Sequence, residues 1–286
     1  MYRKAPLIRL AVVTLFFIAN GFIWCAVRAN GSSGVLRVVA LNIGQGDAIF
    51  IETPNHNQIL IDGGGTNKIL EELGTVMPFY DRSIDMLVVT NPDKDHMGGF
   101  IDVLKNYHVG RVLEPGTKSD SATYAELEKT ISEKQVPETL ARRGMDFVLD
   151  DNVHLYTLFP DRDVSGLTTN DGSIVAKLVY GNTSFMLTGD SPQKIEEYLV
   201  SLDGTNLKSD VLKVGHHGSR TSTGALFLSY VQPVYAMISA GFKNKYGHPH
   251  KETIDNLNAA HVKTFITYEK GSVGFRSDGV KVIAEQ

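Results

Sequence analysis

The chain has 286 residues, of which 42% are hydrophobic and 21% charged, with a formal net charge of −4 at pH 7. This composition supports a well-cored domain and excludes an intrinsically disordered chain, and the acidic balance argues against a generic polyanion-binding protein. The single cysteine, Cys25, lies in the apolar N-terminal run, so the remainder has no disulfide and no thiolate metal ligand.

The charges are distributed unevenly along the sequence. Residues 1–30 contain four basic residues and no acidic one, so the rest of the chain carries the whole acidic excess. The window 208–251 differs from that acidic remainder, because Asp210 is its only acid. Its basic residues are Lys208, Lys213, Arg220, Lys243, Lys245 and Lys251.

The N-terminal segment has the pattern of a secretion signal or membrane anchor. Basic residues precede the nearly unbroken apolar run Leu10–Val27, whose length is about that of a bilayer-spanning helix. Val27–Ala29 is a passable cleavage site, whereas Trp24 suits an uncleaved anchor; a buried core helix is the remaining alternative. The sequence therefore predicts a domain that is membrane-anchored outside the cytoplasm, or secreted after cleavage. The segment and its linker, Asn30–Gly34, make up residues 1–34.

From Val35 onward, short β-branched runs alternate with amphipathic stretches. The runs predict strands at Val35–Leu41, Ala48–Glu52, Gln58–Asp62, Met86–Thr90, Arg111–Leu113, Val153–Leu158, Ser173–Val179, Ser184–Thr188, Val211–Val214, Tyr235–Ser239, Lys263–Ile266 and Gly271–Phe275. The amphipathic stretches predict helices at Asn67–Leu73, Gly98–Asn106, Ser121–Lys134, Pro192–Leu202, Gly224–Tyr230 and Lys251–Ala260. This mixture predicts one α/β domain over residues 35–286, with two packed sheets and helices outside them.

The most informative segment is Leu87–Gly99, in which an apolar strand ends in Asn91, Asp93, Asp95 and His96. Side chains at a strand end can converge on a metal because the sheet holds them rigidly. The side chains of Asn91 and Asp93, at alternate positions, project to the same side. Those of the adjacent Asp95 and His96 can reach a neighbouring point. The segment therefore suits a dinuclear hydrolytic site, with a solvated Asp-rich turn as the alternative.

Two further strands end in candidate ligands. The first ends in Gly-Asp, and the carboxylate of Asp190 can bridge two cations, although Gly-Asp is also a common turn. The second, Val211–Ser219, ends in adjacent histidines, for which exposed loop residues are the alternative. Strand parity predicts that His216 points inward as a ligand, while His217 orients a substrate or supports a ligand.

A fourth segment, Asn244–His250, contains a candidate catalytic histidine. His248 lies between Gly and Pro, which fixes its backbone in an extended state. Near a metal it can act as a proton donor or phosphate contact, and a structural role is the alternative. The catalytic candidates are thus Asp95, His217 and His248.

These motifs resemble the hydrolase domain of the ComEC-type DNA-uptake proteins, within the metallo-β-lactamase superfamily. Residues 35–280 contain TNPDKDH, LTGD, HHGS and YGHPH in the order and spacing of that family. The segments Leu41–Ala48, Leu60–Gly64 and Asn170–Ser173 also look like family motifs. The resemblance implies a four-layer αββα sandwich with metals at one edge, between the sheets.

The resemblance also implies a role for each matching residue. Asp93 would serve a first metal site beside the position that Asn91 occupies, and Asn170 is the nearest candidate for a further ligand there. Asp62 looks like the buried acid that braces the metal-binding loop. The second site would be formed by Asp95, His96, Asp190 and His216. In it, Asp190 would be the bridging residue.

Two positions depart from the family pattern. The family usually has His at the position of Asn91 and Asp at the position of Asn42. An amide oxygen is a weaker transition-metal ligand than imidazole, so the first site should favour Mn²⁺ or Mg²⁺ over Zn²⁺, or fill only with substrate. The second site should hold metal on its own. We expect one or two divalent ions, manganese or zinc, with magnesium also possible.

The resemblance implies metal-dependent phosphodiester hydrolysis with DNA as the substrate. Candidate substrate contacts from the basic window are Ser219, Arg220, Lys243 and Lys245. ComEC itself joins its hydrolase to a many-helix channel, whereas the single apolar run here leaves room for one membrane helix. The sequence therefore predicts an external nuclease rather than a transporter, with no indication of protein partners.

Two alternative functions stay open at this point. A hydrolase of a cell-wall phosphoester, a lactone or an acyl compound is favoured by the acidic balance of the domain, and a panel of ester substrates would separate it from a nuclease. A metal-deficient tethered binding module is favoured by Asn91. Binding of DNA without turnover under any divalent cation would indicate that module.

Overall fold

The computed structural model describes residues 5–29 and 33–285. Its helices are α1 Ala5–Ala29, α2 Lys68–Val76, α3 Lys94–Met97, α4 Phe100–Asn106, α5 Ala122–Lys134, α6 Gln193–Asp203, α7 Ala225–Val231, α8 Lys251–Ala259 and α9 Thr267–Lys270, with 3₁₀ turns at Gly204–Leu207 and Gly215–Gly218. Its strands are β1 Leu36–Ala40, β2 Ile49–Glu52, β3 Gln58–Ile61, β4 Ser83–Ile84, β5 Met86–Val88, β6 His108–Val109, β7 Val112–Glu114, β8 Glu138–Leu140, β9 Asp146–Asp150, β10 Val153–Phe159, β11 Val175–Tyr180, β12 Thr183–Leu187, β13 Val211–Lys213, β14 Tyr235–Ile238, β15 Lys263–Ile266, β16 Val273–Ser277 and β17 Val282–Ala284.

Two mixed sheets pack face to face. The first has the strand order β17-β16-β1-β2-β3-β5-β7-β8, and the second has the order β15-β14-β13-β12-β11-β10-β9. Because side chains alternate along a strand, each sheet contributes one apolar face to the layer between them. Ile59 and Ile61 of β3 thus share a buried cluster with Phe185 of β12.

Helices cover the outer face of each sheet. Leu60, which points away from the inner layer, packs in a cluster with Leu73 of α2 and Phe100 of α4. On the other side, Met186 of β12 packs with Leu199 of α6. The order helix, sheet, sheet, helix confirms the predicted four-layer αββα arrangement.

Each of the strands and helices predicted from periodicity forms, with shifts of a few residues at the ends. The elements that were not predicted are short or partly exposed. Strand β9, for example, carries acidic residues at both ends and contains no fully buried residue. Such segments lack the hydrophobic alternation that indicates a strand.

The sheet topology places the predicted motifs at one edge of the sandwich. Strands β3 and β5 run parallel in the first sheet, and β12, β13 and β14 run parallel in the second. The motifs that contain His96, Asp190 and His216 directly follow β5, β12 and β13, and the loop after β14 leads to His248. These segments therefore gather where the carboxyl ends of parallel strands meet. The metal site is therefore expected at this edge, between the two sheets.

A helix, α1, forms where the signal or anchor segment was predicted. Residues 30–32 of the predicted linker and the basic residues Arg3 and Lys4 lie outside the described residues. Within the part of the chain that the structure describes, no helix is long and apolar enough to cross a membrane. The predicted membrane span is thus not confirmed, and the boundary between residues 34 and 35 stays a prediction.

Candidate metal centre

The carboxylate of Asp190 lies at the centre of three imidazole rings. Its oxygens are 3.1 Å from Nε2 of His96, 3.7 Å from Nε2 of His216 and 3.8 Å from Nε2 of His217. Asp95 joins the group, with its Oδ2 atom 3.4 Å from Nε2 of His217. Residues that are far apart in sequence therefore converge on one point, as the motifs predict.

Contacts on the far side of the rings fix which nitrogen faces the centre. Nδ1 of His96 lies 2.8 Å from the Asp62 carboxylate, which Thr90 also holds through its backbone N–H. Nδ1 of His217 lies 3.1 Å from the carbonyl oxygen of Ser239, which can only accept a hydrogen bond. When either ring is neutral, Nδ1 therefore carries its hydrogen and the Nε2 lone pair is directed at the centre, the arrangement that metal-binding histidines use.

The electrostatics of the centre are those of a cation site. Burial acts to lower the pKa of His96, but Asp190 and Asp62 raise it well above its ordinary value. Burial likewise opposes protonation of His217, but Asp190 and Asp47 raise its pKa to about 9. Burial acts to raise the pKa of Asp190, yet the two histidines hold it below its usual range. The buried carboxylates thus favour positive charge at the centre, which either protons on the histidines or a divalent cation can supply.

The residues present fit a divalent cation. Asp95, His96 and His217 each offer one ligand atom, and these atoms lie within 4.8 Å of one another. Nε2 of His96, Nε2 of His217 and Oδ1 of Asp190 are buried without a well-aligned hydrogen bond. Buried polar atoms without partners are costly, and a cation shared by imidazole and carboxylate would satisfy all three.

The side chains of the predicted first site are engaged in hydrogen bonds with their neighbours. The side-chain N–H of Asn91 donates to Oδ1 of Asn170 at 2.7 Å, and its Oδ1 accepts the backbone N–H of Asp93. Asp93 also accepts a hydrogen bond from Thr169. The amide oxygen of Asn91 is therefore already engaged, which makes it a poorer ligand than a free imidazole.

The structure corrects the prediction about the adjacent histidines. Strand β13 ends at Lys213, and both histidines lie in the following 3₁₀ turn with positive φ, 48° for His216 and 55° for His217. Strand parity therefore does not apply to them. The His217 side chain is 2% exposed and the His216 side chain 26%, so His217, predicted to orient substrate, is the more deeply placed candidate ligand.

A buried ion pair behind His217 was not predicted. Nζ of Lys213 lies 2.8 Å from Oδ2 of Asp47, and Oδ1 of the same carboxylate lies 3.2 Å from Nδ1 of His217. Asp47 follows Gly46, whose φ of 123° and close approach to the Asp95 carbonyl leave no room for a Cβ. Lys213 was counted in the basic window, but it is buried and so adds no charge to the surface.

The predicted substrate contacts differ in accessibility. Ser219 is buried and its hydroxyl shares a hydrogen bond with Thr221, so it shapes the turn rather than facing solvent. Arg220 is exposed and lies 3.5 Å from Glu252. The remaining two, Lys243 and Lys245, lie on an exposed loop that leads to His248.

The ring of His248 borders the centre, with its centroid 5.5 Å from that of His216. Its buried Nδ1 atom makes no hydrogen bond. Burial, together with His216 and His217, lowers the pKa of His248 to about 4. The ring is therefore neutral near pH 7, which favours a contact through a neutral imidazole over proton donation from a charged one.

A separate group of carboxylates, Glu114, Glu128 and Glu138, lies at the outer edge of the first sheet. Burial and the neighbouring carboxylates raise the pKa of Glu114 to about 8. This carboxyl therefore holds a proton near pH 7, and the group is distinct from the metal centre.

Comparisons with known proteins identify the family of this chain. Residues 41–241 match the family model described as the metallo-beta-lactamase superfamily. The chain is 31% identical over 277 residues to ComE operon protein 3 of Bacillus subtilis (strain 168), covering 89% of this chain and 34% of that protein. It is 30% identical over 242 residues to competence protein ComA of Neisseria gonorrhoeae, covering 83% of this chain and 32% of that protein. The resemblance to ComEC-type proteins is confirmed, and the chain spans about a third of the length of these curated relatives.

Among solved structures, CmlA, a diiron β-hydroxylase from Streptomyces venezuelae, is similar over 88% of this chain and 54% of that chain, with a TM-score of 0.54. The two sequences are 14% identical. This likeness supports the fold alone.

Proposed function

Because the chain belongs to the metallo-β-lactamase superfamily, we propose that it is a metal-dependent phosphodiesterase that cleaves DNA. One observation carries the proposal: the Asp190 carboxylate and three imidazole Nε2 atoms converge within 3.8 Å. This arrangement also argues against a metal-deficient binding module, since buried ligand atoms would stay unsatisfied without a cation. The similarity to competence proteins supports DNA as the substrate.

The side chains have distinct tasks in this proposal. A divalent cation held by Asp95, His96, Asp190 and the two adjacent histidines would activate water and neutralise charge on the phosphoryl oxygens. Asp62 and the Ser239 carbonyl keep two of the rings in the tautomer that binds the cation. His248 stands beside the centre as a neutral ring that can contact the phosphate. Lys243 and Lys245 attract the polyanion to this edge.

Incubation of the full chain with single-stranded DNA and a panel of divalent cations tests the proposal. We expect cleavage with Mn²⁺ and its loss in Asp95→Ala, because Asp95 supplies one of the converging ligand atoms. Asp120→Ala removes an exposed acid elsewhere and should retain activity. Absence of cation-dependent DNA cleavage, with turnover of carboxylic esters or lactones instead, would favour the alternative hydrolase.

We further propose that one ion binds tightly and that the first site is weak. Replacing Asn91 with histidine breaks its hydrogen bond to Asn170 and supplies a stronger ligand. The number of tightly bound Zn²⁺ ions per chain, measured by equilibrium dialysis and elemental analysis, is expected to rise from about one to about two. Asn206→His adds an exposed histidine elsewhere and should leave the number unchanged. Two tightly held zinc ions in the unaltered protein would contradict this prediction.

We also propose that the domain acts outside the cytoplasm. The basic residues before the apolar run Leu10–Val27 support this location, as does the exposed apolar surface of α1, which includes Leu15 and Phe16. An alkaline phosphatase reporter fused after Gln286 should be active in intact cells. Activity only after cell lysis would rule the location out.

A further inference from the structure

A short loop after β14 exposes two aromatic rings beside the metal centre. The side chains are those of Phe242, which is 71% exposed, and Tyr246, which is 50% exposed. Exposed apolar surface can indicate a binding site, and these two rings are candidates because they lie beside the metal centre. Neither ring was among the residues predicted to contact substrate.

Each ring is accompanied by a lysine. Nζ of Lys243 lies 5.3 Å from the centre of the Phe242 ring, and Nζ of Lys245 lies 4.9 Å from the centre of the Tyr246 ring. Neither lysine forms an ion pair with a carboxylate in the described part of the chain. The loop therefore presents two rings that flank two lysines without carboxylate partners among the described residues, a combination of aromatic and positively charged groups that binds single-stranded nucleic acid.

The loop is held in one conformation by its own contacts. The side chain of Asn244 donates to the carbonyls of Gly241 and His248, and its oxygen accepts the backbone N–H groups of Tyr246 and His248. The ring of Phe242 contacts that of Tyr268, with the centroids 6.0 Å apart and the planes tilted by 54°. A preorganised surface loses little conformational entropy when a ligand binds.

A series of ring contacts connects the loop with the metal centre. Tyr246 stacks on His248 with centroids 5.6 Å apart and planes at 22°, and His248 lies 5.5 Å from His216. A chain bound along the loop would therefore place a neighbouring backbone group at the cation site. The chain after residue 30 is acidic overall, so charge alone would hold a polyanion weakly here, and stacking supplies attraction that does not depend on charge.

We propose that Phe242 and Tyr246 stack on unpaired nucleobases, with each neighbouring lysine side chain moving from its ring to a phosphate of the bound strand, and that this makes the protein selective for single-stranded nucleic acid. The inference rests on the proposed phosphodiesterase function for its link to catalysis, because the loop would position the strand for cleavage. A duplex hides the faces of its bases, so it cannot use these rings. An abasic strand has the charges but not the bases, and it loses the same contacts.

Binding to the full chain without turnover tests the inference separately from nuclease activity. Fluorescence anisotropy in excess chelator would compare a labelled oligothymidylate, an abasic deoxyribose-phosphate oligomer of equal length and a duplex. We expect the oligothymidylate to bind about tenfold more tightly for each ring engaged. Phe242→Ala and Tyr246→Ala should each reduce this preference about tenfold, and Tyr246→Phe should retain it.

Phe79→Ala provides the matched control, since Phe79 is 87% exposed on another loop. It should leave the preference for bases intact. Equal affinity for duplex and single strand, a preference that survives loss of both rings, or no binding of any oligomer would overturn the inference. Ring-dependent binding without cleavage under any cation would instead refute the proposed nuclease function and leave the base-binding loop in place.

Discussion

Replacing Asp190 with asparagine is expected to lower cation-dependent hydrolysis by about 10³-fold or more. The Asp190 carboxylate is the group that all three Nε2 atoms surround, at 3.1 to 3.8 Å. A carboxamide has nearly the same shape, but it carries no negative charge and has N–H donors where a cation requires an electron pair. The substitution therefore removes the shared ligand while changing the packing little.

Asp190→Asn should lower the affinity for the cation as well as the rate of hydrolysis. Calorimetric titration with Mn²⁺ should show weaker binding, and the rise in melting temperature that the cation gives the unaltered protein should disappear. Asp255→Asn is the matched control, because that exposed carboxylate pairs with Lys251 on the surface. A rate within about tenfold of the unaltered protein would show that Asp190 is not the shared ligand.

The fold was predictable because its signals are local. Strand β10 alternates buried and partly buried residues along its whole length, and α2 buries Ile69 and Leu73 one turn apart. These periods of two and of about four residues are visible in the sequence itself. The motif order then indicated which strand ends meet, and the structure places Asp190 and His96 in contact as that order implies.

The roles of the two adjacent histidines were not predictable in the same way. Strand parity holds only while the backbone stays extended, and here β13 stops after Lys213. Positive φ at both His216 and His217 then turns the second ring inward. Residues other than glycine rarely adopt this conformation, and the residue type of these two positions does not predict it. Backbone strain of this kind collects at functional sites, which is where the structure shows it.

The buried lysine had a signal that could have been recognised. Lys213 interrupts the run Val211–Val214, and the parallel neighbours of β13 on both sides make it a central strand. A lysine within such a strand must be buried on one face and therefore needs an anionic partner. Its partner, Asp47, belongs to a turn that precedes it by most of the domain, so the pairing itself required the fold.

Replacing Lys213 with methionine is expected to lower the free energy of unfolding by about 3–5 kcal/mol. The side chain is almost fully buried, and its Nζ atom lies 2.8 Å from Oδ2 of Asp47. Methionine is similar in length to lysine and is apolar, so the main change is that the buried Asp47 carboxylate loses its lysine partner and keeps only the contact with His217. Urea denaturation at neutral pH, with chelator present so that bound metal does not contribute, measures the change.

A double-mutant cycle separates this charge effect from packing. If the lost stability comes from the unpaired carboxylate, Asp47→Asn combined with Lys213→Met should recover about 2 kcal/mol relative to Lys213→Met alone. Lys251→Met, at an exposed surface pair, should leave the unfolding free energy unchanged within error. Because Asp47 also contacts Nδ1 of His217, Lys213→Met should weaken Mn²⁺ binding about 10- to 100-fold. Additive effects in the cycle together with unaltered cation affinity would show that Lys213 neither compensates Asp47 nor positions the ring in front of it.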